Sequence, residues 1–191
     1  PAPGECKRFY YTEEVCRASR ESHTFQTIHQ MGLECMGEVD EAVQAEVLRL
    51  ALASLAALDV PTVLEVSHMG FVTGLLDALN VPDAYRARLV ELLCAKNEHE
   101  LRKAALHAGL DAAGADALCG LLTLHGPFGA TLTAAKATAA SPAQKAALAE
   151  LQALQNALGE AGRGLQLDLS MADEAEYYNG IVFTGYVAGV P

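Results

Sequence analysis

The sequence predicts an α+β fold: an antiparallel or mixed sheet flanked by helices and interrupted by an all-helical subdomain. Three observations carry this. Residues 1 to about 75 alternate strand-like runs with one helix, residues 76–163 are rich in Ala and Leu with helical spacing, and strand-like alternation returns from Gly164. The expected organisation is a core made of residues 1–75 and 164–191, with residues 76–163 as a helical insertion.

The first element is the run from Cys6 to Ser19, whose aromatic and β-branched residues suit a strand or hairpin arm. Thr27 to Gly37 follows with strict alternation. Ile28, Gln30, Gly32 and Glu34 fall on one face, and His29, Met31, Leu33 and Cys35 on the other. Asp40 then caps a helix carrying Val43, Val47, Leu50 and Leu58 on one flank and Leu48, Leu52 and Leu55 on another, a surface wide enough to require packing on a sheet. Pro61 to Ser67 reads as a strand and Gly70 to Leu79 as a short helix.

The middle block is punctuated by two capping boxes, Asn97 to Glu100 and Ser141 to Gln144, the second with Pro142 at the first helical position. Tyr85, Leu89, Leu92 and Leu93 form one core stripe; Leu148, Leu151, Leu154 and Leu158 form another. Gly126-Pro127-Phe128-Gly129 predicts a loop. After it, Leu165, Leu167 and Leu169 alternate with Gln166, Asp168 and Ser170, and Tyr177 to Gly189 reads as two strands or a strand with a turn.

Composition narrows the function. Half the chain is hydrophobic (51%) and 19% is charged, so it buries a core. The formal net charge of -11, with only 13 basic residues, argues against a broad phosphate-binding surface. The five cysteines lack Cys-x-x-Cys spacing and are read as reduced, mostly buried thiols of a cytoplasmic protein. No signal peptide or membrane-length apolar run is expected. The chain starts at a proline and stops just after a strand-like run, and so reads as a fragment or as a chain whose ends are not given.

Metal and nucleotide motifs are not found. His99-Glu100 opens like a zincin helix, but His107 stands eight residues on instead of four. No Gly-x-Ser-x-Gly elbow and no glycine-rich phosphate loop occur, and no cofactor is expected. What remains is Gln30 and Glu34 flanking Gly32, an open slot between an amide and a carboxylate that suits a small ligand rich in hydrogen-bond donors. The same pattern also suits an edge strand whose polar face is simply wet.

Longer stretches resemble a known family. Arg8 to Ser19 followed by Phe25 to Glu38 is similar to motif 2 of class II aminoacyl-tRNA synthetases, with the Gln-x-Gly-x-Glu signature of histidyl-tRNA synthetases at Gln30 to Glu34. Ala45 to Gly70 resembles the helix and strand that follow it. Glu174 to Phe183 resembles the histidine-binding motif shared with the paralogous ATP phosphoribosyltransferase regulatory subunits. The resemblance implies a class II synthetase-like core with a helical insertion. It implies that Glu34 accepts from an imidazole nitrogen, that Gln30 addresses the amino acid's polar backbone groups, and that Tyr178 adds a phenol. Tyr177 is a histidine-binding candidate as well, although core packing suits it better. Arg17 falls where synthetases contact the ATP phosphate.

The departures from the family pattern point to one branch. Asp173 stands where the synthetases' Arg-Gly-Leu-Asp-Tyr-Tyr motif has its arginine. Adenylation builds negative charge in its transition state, which an acid there opposes. The motif 2 loop is short and poor in basic residues. Segments matching motif 1 and motif 3 are not found. The resemblance therefore implies a non-catalytic regulatory subunit of ATP phosphoribosyltransferase, in the first step of histidine biosynthesis and its feedback. Its partner would be the short-form catalytic subunit, in a hetero-oligomer built on a homodimer, with histidine as ligand and no tRNA. The alternatives are an active histidyl-tRNA synthetase and a stand-alone amino-acid-binding or scaffolding module.

Overall fold

The computed structural model describes residues 1–18, 24–171, 178 and 180–189. The chain divides into two compact units, Pro1–Leu48 and Arg49–Pro191, with the division falling inside the first helix.

In the first unit, β1 (Cys6–Ala18) and β2 (Phe25–Gly37) form an antiparallel two-stranded sheet. Thirteen pairs run without a bulge from Cys6 opposite Gly37 to Ala18 opposite Phe25. Asp40 caps α1 (Glu41–Ala56) as its sequence position predicts, its carboxylate accepting from the Val43 amide at 2.9 Å. The buried strip of α1 is narrower than the leucine pattern suggests. Val43, Ala45 and Leu48 are buried, whereas Leu50 and, beyond the helix end, Leu58 are exposed.

The second unit is built on a mixed sheet. β3 (Thr62–His68) lies between β5 (Gln166–Asp168), to which it is parallel, and β6 (Ile181–Val187), to which it is antiparallel. β4 (His125–Pro127) pairs antiparallel with β5, giving the order β4-β5-β3-β6. β4 corrects the loop expected at Gly126-Pro127. Three residues suffice to add an edge strand, and the next helix starts immediately at Phe128. Leu55 of α1 packs over Gly185 of β6, so this helix does rest on a sheet strand.

Between β3 and β5 run α2 (Met69–Ala78), α3 (Asp83–Cys94), α4 (Glu98–His107), α5 (Ala112–Gly120), α6 (Phe128–Thr138) and α7 (Pro142–Leu158). Both predicted leucine stripes face inward. Leu89, Leu92 and Leu93 are buried on α3, with Tyr85 half-buried against His107, and Leu148, Leu151, Leu154 and Leu158 are buried on α7. The reciprocal capping box forms at Ser141 and Gln144. At α4 the Asn97 half forms, its side chain accepting from the Glu100 amide at 3.2 Å. Helices α2 and α7 approach closely because position 74 has no side chain. A Cβ on Gly74 would sit 2.8 Å from that of Ala143. All five cysteines are free thiols, but only Cys119 is buried. Cys16 is exposed and the other three are half-buried, so the expectation of mostly buried thiols does not hold.

Candidate functional site

The register of the hairpin decides which side chains can act together. Directly paired residues of an antiparallel ladder project to the same face. Gln30 lies opposite Glu13, Gly32 opposite Tyr11, Glu34 opposite Phe9 and Gln26 opposite Arg17. The face that alternation gives to Gln30, Gly32 and Glu34 therefore also carries Phe9, Tyr11, Glu13 and Arg17.

Three of these side chains are linked. Arg17 donates from Nη2 to Gln30 Oε1 at 3.1 Å, and Gln30 donates from Nε2 to the Tyr11 phenol at 2.8 Å. The amide is thus held at both ends and fixed in one orientation. Gly32 is not the open slot that the spacing suggested. The Tyr11 ring crosses it so closely that a Cβ on Gly32 would lie 2.3 Å from the ring's Cζ. Any larger residue at 32 would displace the ring and, with it, the phenol that orients Gln30. Glu34 is exposed, four residues from Gln30 and so about 13 Å along the strand.

The opposite face of the hairpin is anchored to the start of α1. Arg8 and Glu46 pair through both guanidinium edges, with Nη2 to Oε2 at 2.5 Å. The hydrogen bond from Arg8 lowers the Glu46 carboxyl and raises the guanidinium in return. Cys35, on that same face, is pushed up by burial and by its neighbour Cys6.

In the second unit, Tyr178 is exposed, and Gly180 accepts from the Met69 amide at 2.9 Å where the chain enters β6. Tyr177 and Asp173 lie outside the described residues. A polar cluster at the end of β5 has no signal in the sequence pattern. Asp168 is buried and takes Lys96 Nζ at 2.5 Å and the Ser170 amide and hydroxyl at 2.9 and 2.6 Å. Burial alone would raise this carboxyl; the hydrogen bonds from Lys96 and Ser170 outweigh it and hold the group below the usual carboxylate range. Lys96 sits just past the end of α3 with φ of 51°, a left-handed position normally given to glycine. Its side chain, not its backbone preference, explains a lysine there.

His68 ties β3 to two helices. Its Nδ1 accepts from the Gly70 amide at 3.1 Å, capping α2, and Nε2 faces Glu150 of α7 at 3.0 Å. With Nδ1 accepting, the proton belongs on Nε2, which then donates to the carboxylate. Among the described residues, no three His, Cys, Asp or Glu side chains gather where a metal ion would sit, and no helix is long and apolar enough to cross a membrane.

The chain is 34% identical over 160 residues to the ATP phosphoribosyltransferase regulatory subunit of Thermus thermophilus, covering 84% of this chain and 43% of that protein. It is 31% identical over 186 residues to the protein of the same name from Desulfitobacterium hafniense (strain DSM 10664 / DCB-2), covering 96% and 48%. It spans about half the length of these curated relatives. A solved structure described as an ATP phosphoribosyltransferase regulatory subunit/histidyl-tRNA synthetase, from Bacillus halodurans C, superposes with a TM-score of 0.83 at 27% identity, covering 96% of this chain and 48% of that one. The class II synthetase-like α+β fold expected from the motifs is the fold observed. A family model described as histidyl-tRNA synthetase matches residues 3–191, and the chain belongs to the histidyl-tRNA synthetase family.

Proposed function

We propose that this chain is part of a non-catalytic regulatory subunit of ATP phosphoribosyltransferase that binds histidine. The observation that carries the reading is the name shared by its relatives at 34% and 31% identity. Asp173 adds to it, since an acid in the position of the synthetase arginine opposes nucleotide chemistry. The partner is the short-form catalytic phosphoribosyltransferase, in a hetero-oligomer built on a homodimer and working in the cytoplasm. Residues 76–163 are the helical insertion of the family.

In this reading Glu34 accepts from the imidazole, while Gln30, oriented by Arg17 and Tyr11, presents a fixed amide to the ligand. Tyr178 is a further histidine contact, with Tyr177 beside it in sequence. Arg17 is engaged with Gln30 at 3.1 Å, so its first role is to position that amide rather than to hold a nucleotide phosphate. The test is calorimetry with histidine. Glu34→Ala weakens binding by about 1–3 kcal/mol, the usual loss when a polar partner is removed; unchanged affinity takes Glu34 out of the site.

An active histidyl-tRNA synthetase is the second reading, favoured by the joint description of the Bacillus halodurans relative. Histidine-dependent ATP–pyrophosphate exchange separates the two. No exchange is expected here, and robust exchange by the purified protein overturns the regulatory assignment.

A further inference from the structure

Helices α6 and α7 are joined by residues 139–141, and a groove of about 450 Å³ runs between them on the protein surface. One wall is the end of α6, with Lys136 and Ala139. The rest comes from α7 at positions 145, 148, 149, 152, 153 and 156, the i, i+3, i+4, i+7 spacing that stays on one face of a helix. At 1.5 Å per residue that strip is about 16 Å long. Leu148 is buried beneath it, while Ala149 is exposed and Ala153 half-buried. The floor is therefore apolar, and no large side chain of its own fills it.

The charges beside this strip are unlike those elsewhere on the chain. Acidic residues outnumber basic ones by 24 to 13, and Arg8, Arg86, Arg88, Lys96, Arg102 and Arg163 all pair with a carboxylate. Lys136 and Lys145 are both exposed, and among the described residues neither has a carboxylate within ion-pair distance. Lys136 donates to Gln152 Oε1 at 2.7 Å, which ties α6 to α7 and leaves its ammonium two further N–H donors. Lys145 stands in the first turn of α7, where the helix end already carries partial positive charge and no acid offsets it. A drug-sized ligand needs about 70–90% of its surface covered, which a groove walled by exposed residues does not provide. A second copy on a two-fold axis would bring its own Lys136 and Lys145 to the same patch, like charge against like. What fits is a foreign helix whose apolar strip meets Ala149 and Ala153, small enough to let it come close, and whose margins carry carboxylates. At physiological salt the acidic remainder of the chain is screened beyond about 8 Å, so the two nearby cations set the preference.

We propose that the α6–α7 groove is a docking surface for an acidic amphipathic helix of a partner protein, whose carboxylates pair with Lys136 and Lys145. The surface lies within residues 128–158 and stands apart from the histidine reading of the hairpin. The test is fluorescence anisotropy of the whole chain against two labelled peptides about four turns long. Each carries leucine and alanine at the i, i+3, i+4 and i+7 spacing; glutamates flank that strip in one peptide and lysines in the other. The glutamate peptide binds and the lysine peptide does not. Lys145→Glu weakens the glutamate peptide about tenfold, the scale of a charge pair turned into a repulsion. An acid suits the first turn of a helix, so this variant keeps its melting temperature and the loss reads docking, not unfolding. Ala149→Trp, which fills the groove from an exposed position, abolishes binding. Failure of the glutamate peptide to bind, equal binding of the two peptides, or unchanged affinity in Lys145→Glu overturns the proposal. So does displacement of the glutamate peptide by an equal concentration of octanoate, a small amphiphilic carboxylate, since the groove then takes a small ligand instead of a helix.

Discussion

The two units hold their polar side chains in place by different physics. On the hairpin no residue of β1 or β2 is buried, and Phe9, Tyr10, Phe25, Met31 and Met36 are all exposed large hydrophobics. A two-stranded ribbon of this kind has little core of its own. Its site residues are therefore positioned by one another, through the Arg17–Gln30–Tyr11 links and the Tyr11 ring over Gly32. In the second unit, by contrast, Asp168, Ser67 and His68 are all buried, and Asp168 and His68 are held there by Lys96, Ser170, Gly70 and Glu150. Side-chain geometry on the hairpin is therefore separable from stability, whereas in the second unit the two are joined.

That contrast can be broken by mutation. The largest expected effect is Leu151→Ala in α7, at a side chain that is 0% exposed, which lowers stability by about 3 kcal/mol. A denaturant midpoint measured against wild type checks it. Next comes Asp168→Asn, with a loss of about 2 kcal/mol, the scale of a hydrogen bond to a charged group. Its signature is in the pH dependence. The folded carboxyl lies below its ordinary value, so its stabilisation is present in full above about pH 4 and disappears as pH falls through the folded value. Melting temperature followed into acid should therefore fall steeply for wild type and less steeply for Asp168→Asn; parallel curves would exclude the Lys96 pairing as its source. The smallest is Tyr11→Phe, about 0.5 kcal/mol in stability, because the phenol it removes is only half-buried. Histidine affinity, measured by calorimetry, should fall in this variant although the fold does not. If Tyr11→Phe costs as much stability as Leu151→Ala, the hairpin is not the separable element described above.

Much of this was legible in sequence where the signal is local. Strict alternation placed β2 and its faces, Asp40 and Ser141 marked helix starts, and the leucine spacings of α3 and α7 named core residues that are buried. What escaped depends on register or tertiary contact. Tyr11 sits above Gly32 only because the strands pair with that offset, which alternation within either strand does not reveal. Lys96 was silent because the left-handed turn after α3 is ordinarily signalled by glycine. The parallel pairing of β3 with β5 joins residues about a hundred positions apart, and three-residue β4 is too short for alternation to register. At Glu34 the spacing left a pocket acid and a solvated edge-strand acid both open, and the structure shows the residue exposed.

The three residues of β4 also bear on any attempt to trim the protein. His125–Pro127 covers the outer edge of β5, and its last residue is a proline, which offers no amide for another strand to pair with. Excising residues 76–163 as though they were a self-contained appendage would strip that cover and leave β5 with open backbone groups. Self-association through the bared edge, rather than a tidy minimal core, is the outcome such a truncation invites.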